Sequence, residues 1–221
     1  MSIRERLRQI GPYTILLVVL PVAALVQPGF YRPANLQNVV RDAAFLAIVA
    51  LGQLIVIIGR GLDLSVGGVI TTASLLMVYF AGTASGSLGL GLASVIGVTL
   101  AIGLLNGLMV AFRRVPAILA TLGTLFLVEG VSLWLTGGRS RGRVPEALVA
   151  VGTGKVGPIP VPVLVAAVVA VAVAVVLHRT TYGRALFATG LNPEASALSG
   201  IPTRSVVAST YVIAALRAAL S

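Results

Sequence analysis

From Pro158 to Leu177 the chain runs through 20 apolar residues, almost all valine and alanine after the prolines, with no alternation of polar and apolar positions. Such a run fits neither a barrel strand nor a soluble sheet, both of which alternate. In lipid every backbone amide must be satisfied internally, and a helix does this within one segment. Six more runs accompany it: Pro12 to Pro28, Ala43 to Ile58, Leu64 to Phe80, Leu88 to Phe112, Val115 to Thr136, and one beginning near Val206. The expectation is an all-α, polytopic transmembrane protein with about seven membrane segments, forming one domain over 1–221.

Composition excludes the soluble alternative. Apolar residues make up 57% of the chain and charged ones 10%, whereas a soluble surface needs roughly a quarter of its residues charged. The net charge of +10 does not point to nucleic acid, because the arginines sit at the ends of apolar runs and in their connections. That distribution suits anionic headgroups and the setting of topology in a lipid bilayer. With no cysteine there is no thiolate chemistry, disulfide or cysteine-based metal site, and the single His178 has no second histidine for a metal or proton relay.

The amino terminus carries Arg4, Arg6 and Arg8 before the first run, and the following PGFYRPANL lacks a small-x-small cleavage pattern. This reads as an uncleaved first span with a cytoplasmic amino terminus in the cell membrane. Alternating seven runs places Arg4, Arg6, Arg8, Arg60, Arg113, Arg114, Arg179, Arg184 and Arg204 inside. Arg32, Arg41, Arg139, Arg141, Arg143 and Lys155 then lie outside, a modest inward bias.

The stretch 178–204, HRTTYGRALFATGLNPEASALSGIPTR, is the longest water-compatible insertion between two runs. Thr180 or Thr181 can cap a short helix of about Tyr182 to Thr189, with Gly190 as its stop. Asn192, Pro193 and Glu194 then supply a cap, a first-turn proline and a first-turn acid for a helix of about two turns ended by Gly200 and Pro202. Helices this short need cover for Leu186, Phe187, Leu191 and Leu198. The cover is either the protein's own core or a soluble partner docking from the cytoplasm.

In GRGLDLSVGG, residues 59–68, Asp63 can accept the free N–H groups of Ser65 and Val66 as a helix cap, which makes a carboxylate near the membrane tolerable. Its glycines and hydroxyls permit close helix packing. Gly103 and Gly107, with Asn106 between them, form a small-x-x-x-small face. Glu129 lies inside its run without a basic partner there, so it lines a pore or faces a neighbouring polar group. Trp134 reads as an interface anchor. No nucleophile with its base, phosphate-binding loop with Lys-Ser/Thr, or paired carboxylates occur, so this is not an enzyme and any ATP hydrolysis belongs to another chain.

Three stretches in order, GRGLDLSVGG (59–68), NGLMVAFRRVPAILATLGT (106–124) and TTYGRALFATGLNPEASALSGI (180–201), together resemble the membrane-spanning permease of bacterial ABC importers for ribose and related monosaccharides. The resemblance covers about residue 38 to the end. It implies a helical permease that binds no cofactor of its own. The partners implied are cytoplasmic ATP-binding subunits, a second permease copy or homologous permease, and an extracytoplasmic substrate-binding protein. It assigns the 178–204 loop to ATPase coupling, through Gly183, Arg184, Gly190, Asn192, Glu194, Ala195, Gly200 and Ile201. It also marks Gly61, Asp63, Leu64, Ser65 and Gly67 as a family membrane motif. Because such permeases continue with further spans, the 221 residues read as an incomplete domain. A non-transporting structural or assembly fragment, or a self-sufficient secondary transporter, remains as an alternative.

Overall fold

Helix accounts for nearly all the regular structure in a computed structural model that describes residues 15, 17–23, 25–27, 29–82, 86–137 and 143–220. Nine helices follow one another among the described residues from Pro33 onward: α1 (Pro33–Ile58), α2 (Val66–Ala81), α3 (Leu88–Gly107), α4 (Ala117–Thr136), α5 (Glu146–Thr153), α6 (Val161–Arg179), α7 (Thr181–Leu191), α8 (Pro193–Leu198) and α9 (Thr203–Ala218). A π-helical turn, Leu108–Phe112, extends α3. Packing divides the chain into residues 1–42 and 43–221. In the first unit the Tyr31 hydroxyl donates to the Leu20 carbonyl at 3.0 Å, and Asn35 Nδ2 donates to the Phe30 carbonyl at 2.8 Å. The functional candidates all belong to the second unit.

Among the described residues four helices are long and apolar enough to cross a membrane, Pro33–Ile58, Leu88–Phe112, Ala117–Thr136 and Val161–Arg179, rather than about seven. The difference has a geometric cause. Helix α2 has 16 residues, which at 1.5 Å each spans about 24 Å against a hydrocarbon thickness of roughly 30 Å. Helix α9 is also 16 residues long and carries Arg204 and Arg217. Of the first expected span, Pro12 to Pro28, residues 12–14, 16, 24 and 28 fall outside the described residues. Helix α1, conversely, begins ten residues before the expected Ala43, so its span is 26 residues long rather than marginal.

Local chemistry sets the ends. Ser87 accepts the Leu90 N–H at 3.4 Å to open α3. Gly137, with φ of 58°, closes α4 in the left-handed conformation that glycine adopts without a Cβ clash. The link after α4 contains α5 and a two-residue antiparallel ladder, Lys155–Val156 against Ile159–Pro160.

Two packing centres tie the helices of this unit together. Val69, Ile102, Val128, Ala215 and Ala218 join α2, α3, α4 and α9. Ile55, Val173, Leu177, Leu186 and Val206 join α1, α6, α7 and α9. The small-x-x-x-small face is used as expected: a Cβ on Gly103 would lie 2.7 Å from Val212 Cα, and one on Gly107 would lie 2.6 Å from the Ala208 carbonyl. Helices α3 and α9 therefore approach backbone to backbone, the geometry that small residues allow in membranes.

Candidate functional site

Helices α7 and α8 form an elbow fixed at its inner face and bare at its outer one. Thr180 Oγ1 accepts the Gly183 N–H at 3.2 Å and donates to the Val176 carbonyl at 2.5 Å, opening α7 directly off α6. Gly183 is buried against the Leu177 and Val176 carbonyls, where any Cβ would collide. Gly190 does not stop the helix, as its type suggests; α7 continues to Leu191, and the missing Cβ instead lets the backbone press on the Ile58 carbonyl at the end of α1. Leu186 is fully buried in the centre shared by α1, α6 and α9. The Tyr182 hydroxyl lies 2.9 Å from Ser209 Oγ on α9, and burial pushes its pKa up against the opposing effect of that bond.

Asn192 caps α8 as its sequence predicts, with Oδ1 accepting the Glu194 and Ala195 N–H groups at 3.1 and 3.0 Å. Gly200 turns the chain with φ of 82°, and Ile201 N donates to the Ser196 carbonyl at 3.0 Å before packing on the same core as Leu186. Arg184, Asn192, Glu194, Ala195 and Gly200 are exposed. Of the four apolar residues expected to need cover, only Leu186 is buried. Leu191 is 80% and Leu198 91% exposed, while Phe187 is half-covered and stacks on His178 with ring centroids 6.2 Å apart.

The second cluster lies where α1 ends. Arg60 takes a left-handed turn with φ of 63°, and Gly61 N donates back to the Val56 carbonyl at 2.9 Å. A Cβ at Gly61 would fall 2.6 Å from the Tyr211 hydroxyl, so only glycine fits. Gln53 Nε2 donates to the Asp63 carbonyl at 2.8 Å. The Asp63 carboxylate accepts the Ser65 N–H at 2.9 Å and the Ser65 hydroxyl at 2.6 Å, both on Oδ1, rather than the expected pair of amides from Ser65 and Val66.

The Ser65 proton is thereby committed, so its oxygen accepts Asn106 Nδ2 at 2.9 Å, and Asn106 Oδ1 in turn accepts the Thr124 hydroxyl at 2.6 Å. Donors thus run in one direction, Thr124 to Asn106 to Ser65 to Asp63, across α4, α3 and the entry to α2. All four side chains are buried. Burial pushes the Asp63 carboxyl up from its ordinary range, and its two bonds from Ser65 oppose the shift.

Of the family motif, Asp63 and Ser65 join this relay, Gly61 fits beneath Tyr211, and Leu64 and Gly67 are not buried. Asn106 is structural, at the centre of the relay, whereas Glu129 is exposed on α4 and takes no part in it. Sequence reasoning missed Thr124 and Tyr211. A signal for the former was present: Thr121, Thr124 and Ser132 mark one polar edge in an otherwise apolar helix.

Residues 35–221 match the family described as branched-chain amino acid transport system / permease component. The chain is 31% identical over 228 residues to the ribose import permease protein of Haemophilus influenzae, covering 96% of this chain and 69% of that protein. It is 32% identical to the autoinducer 2 import system permease protein of Yersinia enterocolitica, covering 94% and 58%. For the ribose import permease protein of Bacillus subtilis the identity is 30%, covering 97% and 67%. No solved structure matches.

Proposed function

Given that the chain belongs to this family of transport-system permease components, we propose that it is the membrane subunit of an ATP-driven importer for a monosaccharide such as ribose, coupled to separate ATPase subunits. The observation that carries the coupling is the elbow: an inner face fixed to three other helices and an outer face on which Leu191, Leu198, Arg184 and Glu194 are all exposed. Two isolated leucines on water-facing helical turns gain nothing there, but each is worth about 1.5–3 kcal/mol when covered. A cytoplasmic ATPase is the cover this reading supplies, with the amino terminus on the same side.

Movement delivered at the elbow has a rigid route inward. Helix α9 starts at Thr203, directly after the elbow, and meets α3 through Gly103 and Gly107. Asn106, between those glycines, holds α2 and α4 through the relay. By this route α7 and α8 are connected through packing and hydrogen bonds to four helices. The route is a matter of contact, and coupling along it is a free-energy linkage between nucleotide state on one side and a solute-loaded binding protein on the other. A second permease copy or homologue completes the path.

Proteoliposomes carrying the chain, its ATPase and its binding protein should take up labelled ribose only with hydrolysable ATP. Persisting uptake without nucleotide overturns the importer reading, and preferential uptake of leucine or valine moves the substrate to the class in the family's description. Arg184→Ala combined with Glu194→Ala should weaken ATPase co-purification several-fold while membrane insertion is retained, as charges at a binding rim do. Unchanged co-purification counts against docking at the elbow.

A further inference from the structure

Helices α2 and α4 touch at two levels. A Cβ on Gly68 would lie 3.0 Å from Leu125 Cδ1, and the Thr72 and Ser132 hydroxyls are 3.0 Å apart. One side of this pair faces α3, where apolar side chains line most of a cavity of about 570 Å³. The opposite side is different. At 100° per residue, Gly67, Thr71 and Ser74 fall on the side of α2 opposite the cavity-lining Leu76 and Phe80, and all three are exposed. On α4, Glu129 lies between the two contact levels and on the side opposite the cavity-lining Leu127 and Val131, so it shares that face.

Glu129 has no hydrogen-bond or ion-pair partner among the described residues. It is the thirteenth of 20 residues in a helix able to span, about 18 Å from one end and about 10 Å from the other, too deep for its short side chain to reach the headgroups. A carboxylate held against lipid at such depth is costly, and charged groups in spans face a polar cavity or a partner. The rest of the face offers that carboxylate no donor of its own. The Thr71 hydroxyl already donates to the Gly67 carbonyl and the Ser74 hydroxyl to the Ile70 carbonyl, each at 3.0 Å, so both oxygens are left as acceptors. Gly67 has nothing within 4 Å of where a Cβ would stand, leaving room beside them.

We propose that this face, Gly67, Thr71 and Ser74 of α2 with Glu129 of α4, lines the aqueous solute path, and that its run of acceptors receives the hydroxyl protons of a polyhydroxylated solute. The solute class rests on the importer reading; the water-lined face does not.

Because the chain has no cysteine, Thr71→Cys, Glu129→Cys and Val168→Cys each introduce one thiol. Val168 is the reference, 69% exposed on α6 among valines and alanines. In membranes from cells making the full complex, a charged, membrane-impermeant methanethiosulfonate should modify the positions 71 and 129 variants at least about tenfold faster than the position 168 variant, since thiolates form only in polar surroundings. Equal rates at all three overturn the proposal, and Thr71→Cys, which apart from the thiol removes only a methyl at an exposed position, keeps the test valid if Glu129→Cys fails to fold. Fast modification in a complex that transports no sugar upholds the wet face and removes the importer reading instead. In a transporting complex, Glu129→Gln should raise KM for the solute about three- to tenfold at little change in kcat, because a charged acceptor forms the stronger hydrogen bond. An unchanged KM overturns the acceptor role.

Discussion

Replacing Asn106 by leucine is expected to remove about 2–4 kcal/mol from the folded membrane domain, seen as a lower unfolding temperature in detergent and a reduced yield of monodisperse protein. The side chain is 1% exposed and sits between one donor and one acceptor that have few other options. Thr124 can redirect its proton to the Ala120 carbonyl at 2.9 Å, so that end of the relay is rescued. Ser65 cannot: its proton is committed to Asp63, and its remaining lone pairs lose their donor at a buried site.

Two companion substitutions separate the relay from mere packing. Thr124→Val keeps the shape and strands only Asn106 Oδ1, so a loss of about 1–2 kcal/mol is expected. Asn106→Asp keeps the size but puts a second carboxylate near that of Asp63, and its effect should at least equal that of leucine at neutral pH and shrink as the medium is acidified. The sign follows from repulsion: two nearby carboxylates repel only while both are ionised, so protonating either one at lower pH removes the penalty. If leucine and valine variants unfold with the wild type, the relay holds nothing together.

The elbow is largely legible in the sequence, because its signals are local. Asn192, Pro193 and Glu194 specify a helix start within three residues, and the cap bonds are the ones those residue types form. Gly103 and Gly107 likewise announce a close helix contact, although only the fold reveals α9 as the partner. Span counting fails for a reason specific to membranes. Hydropathy records how apolar a segment is, whereas crossing also requires length, and α2 is apolar but 16 residues long because Asp63 and Ser65 bind the chain into a turn before it begins. The relay itself is illegible, since Ser65, Asn106 and Thr124 come from three elements separated by 41 and 18 positions. Tyr211 is hidden for the same reason: its contact with Gly61 exists only once α9 has packed against the end of α1.

Gly190→Ala should abolish most ATP-coupled uptake, about a hundredfold or more, in a protein that still inserts into the membrane. The added methyl would collide with the Ile58 carbonyl, a backbone atom that cannot turn aside. Relief requires α7 to lift from the end of α1, a change that typically costs about 1–3 kcal/mol and here also loosens Leu186 in its shared core. The loss of coupling should exceed the loss of stability. The elbow transmits movement only while its inner face is fixed, and a lever free to pivot at its base absorbs the push. Gly123→Ala provides the contrast within the same chain: that glycine sits inside α4 with nothing within 4 Å of where a Cβ would stand, so alanine should be neutral or stabilise by up to about 1 kcal/mol through helix propensity alone. Uptake and ATPase co-purification measured side by side locate the defect. Bound ATPase with no uptake places the failure at the α1 contact, loss of binding places it at the elbow's outer face, and wild-type uptake in Gly190→Ala would mean that the contact with Ile58 transmits nothing.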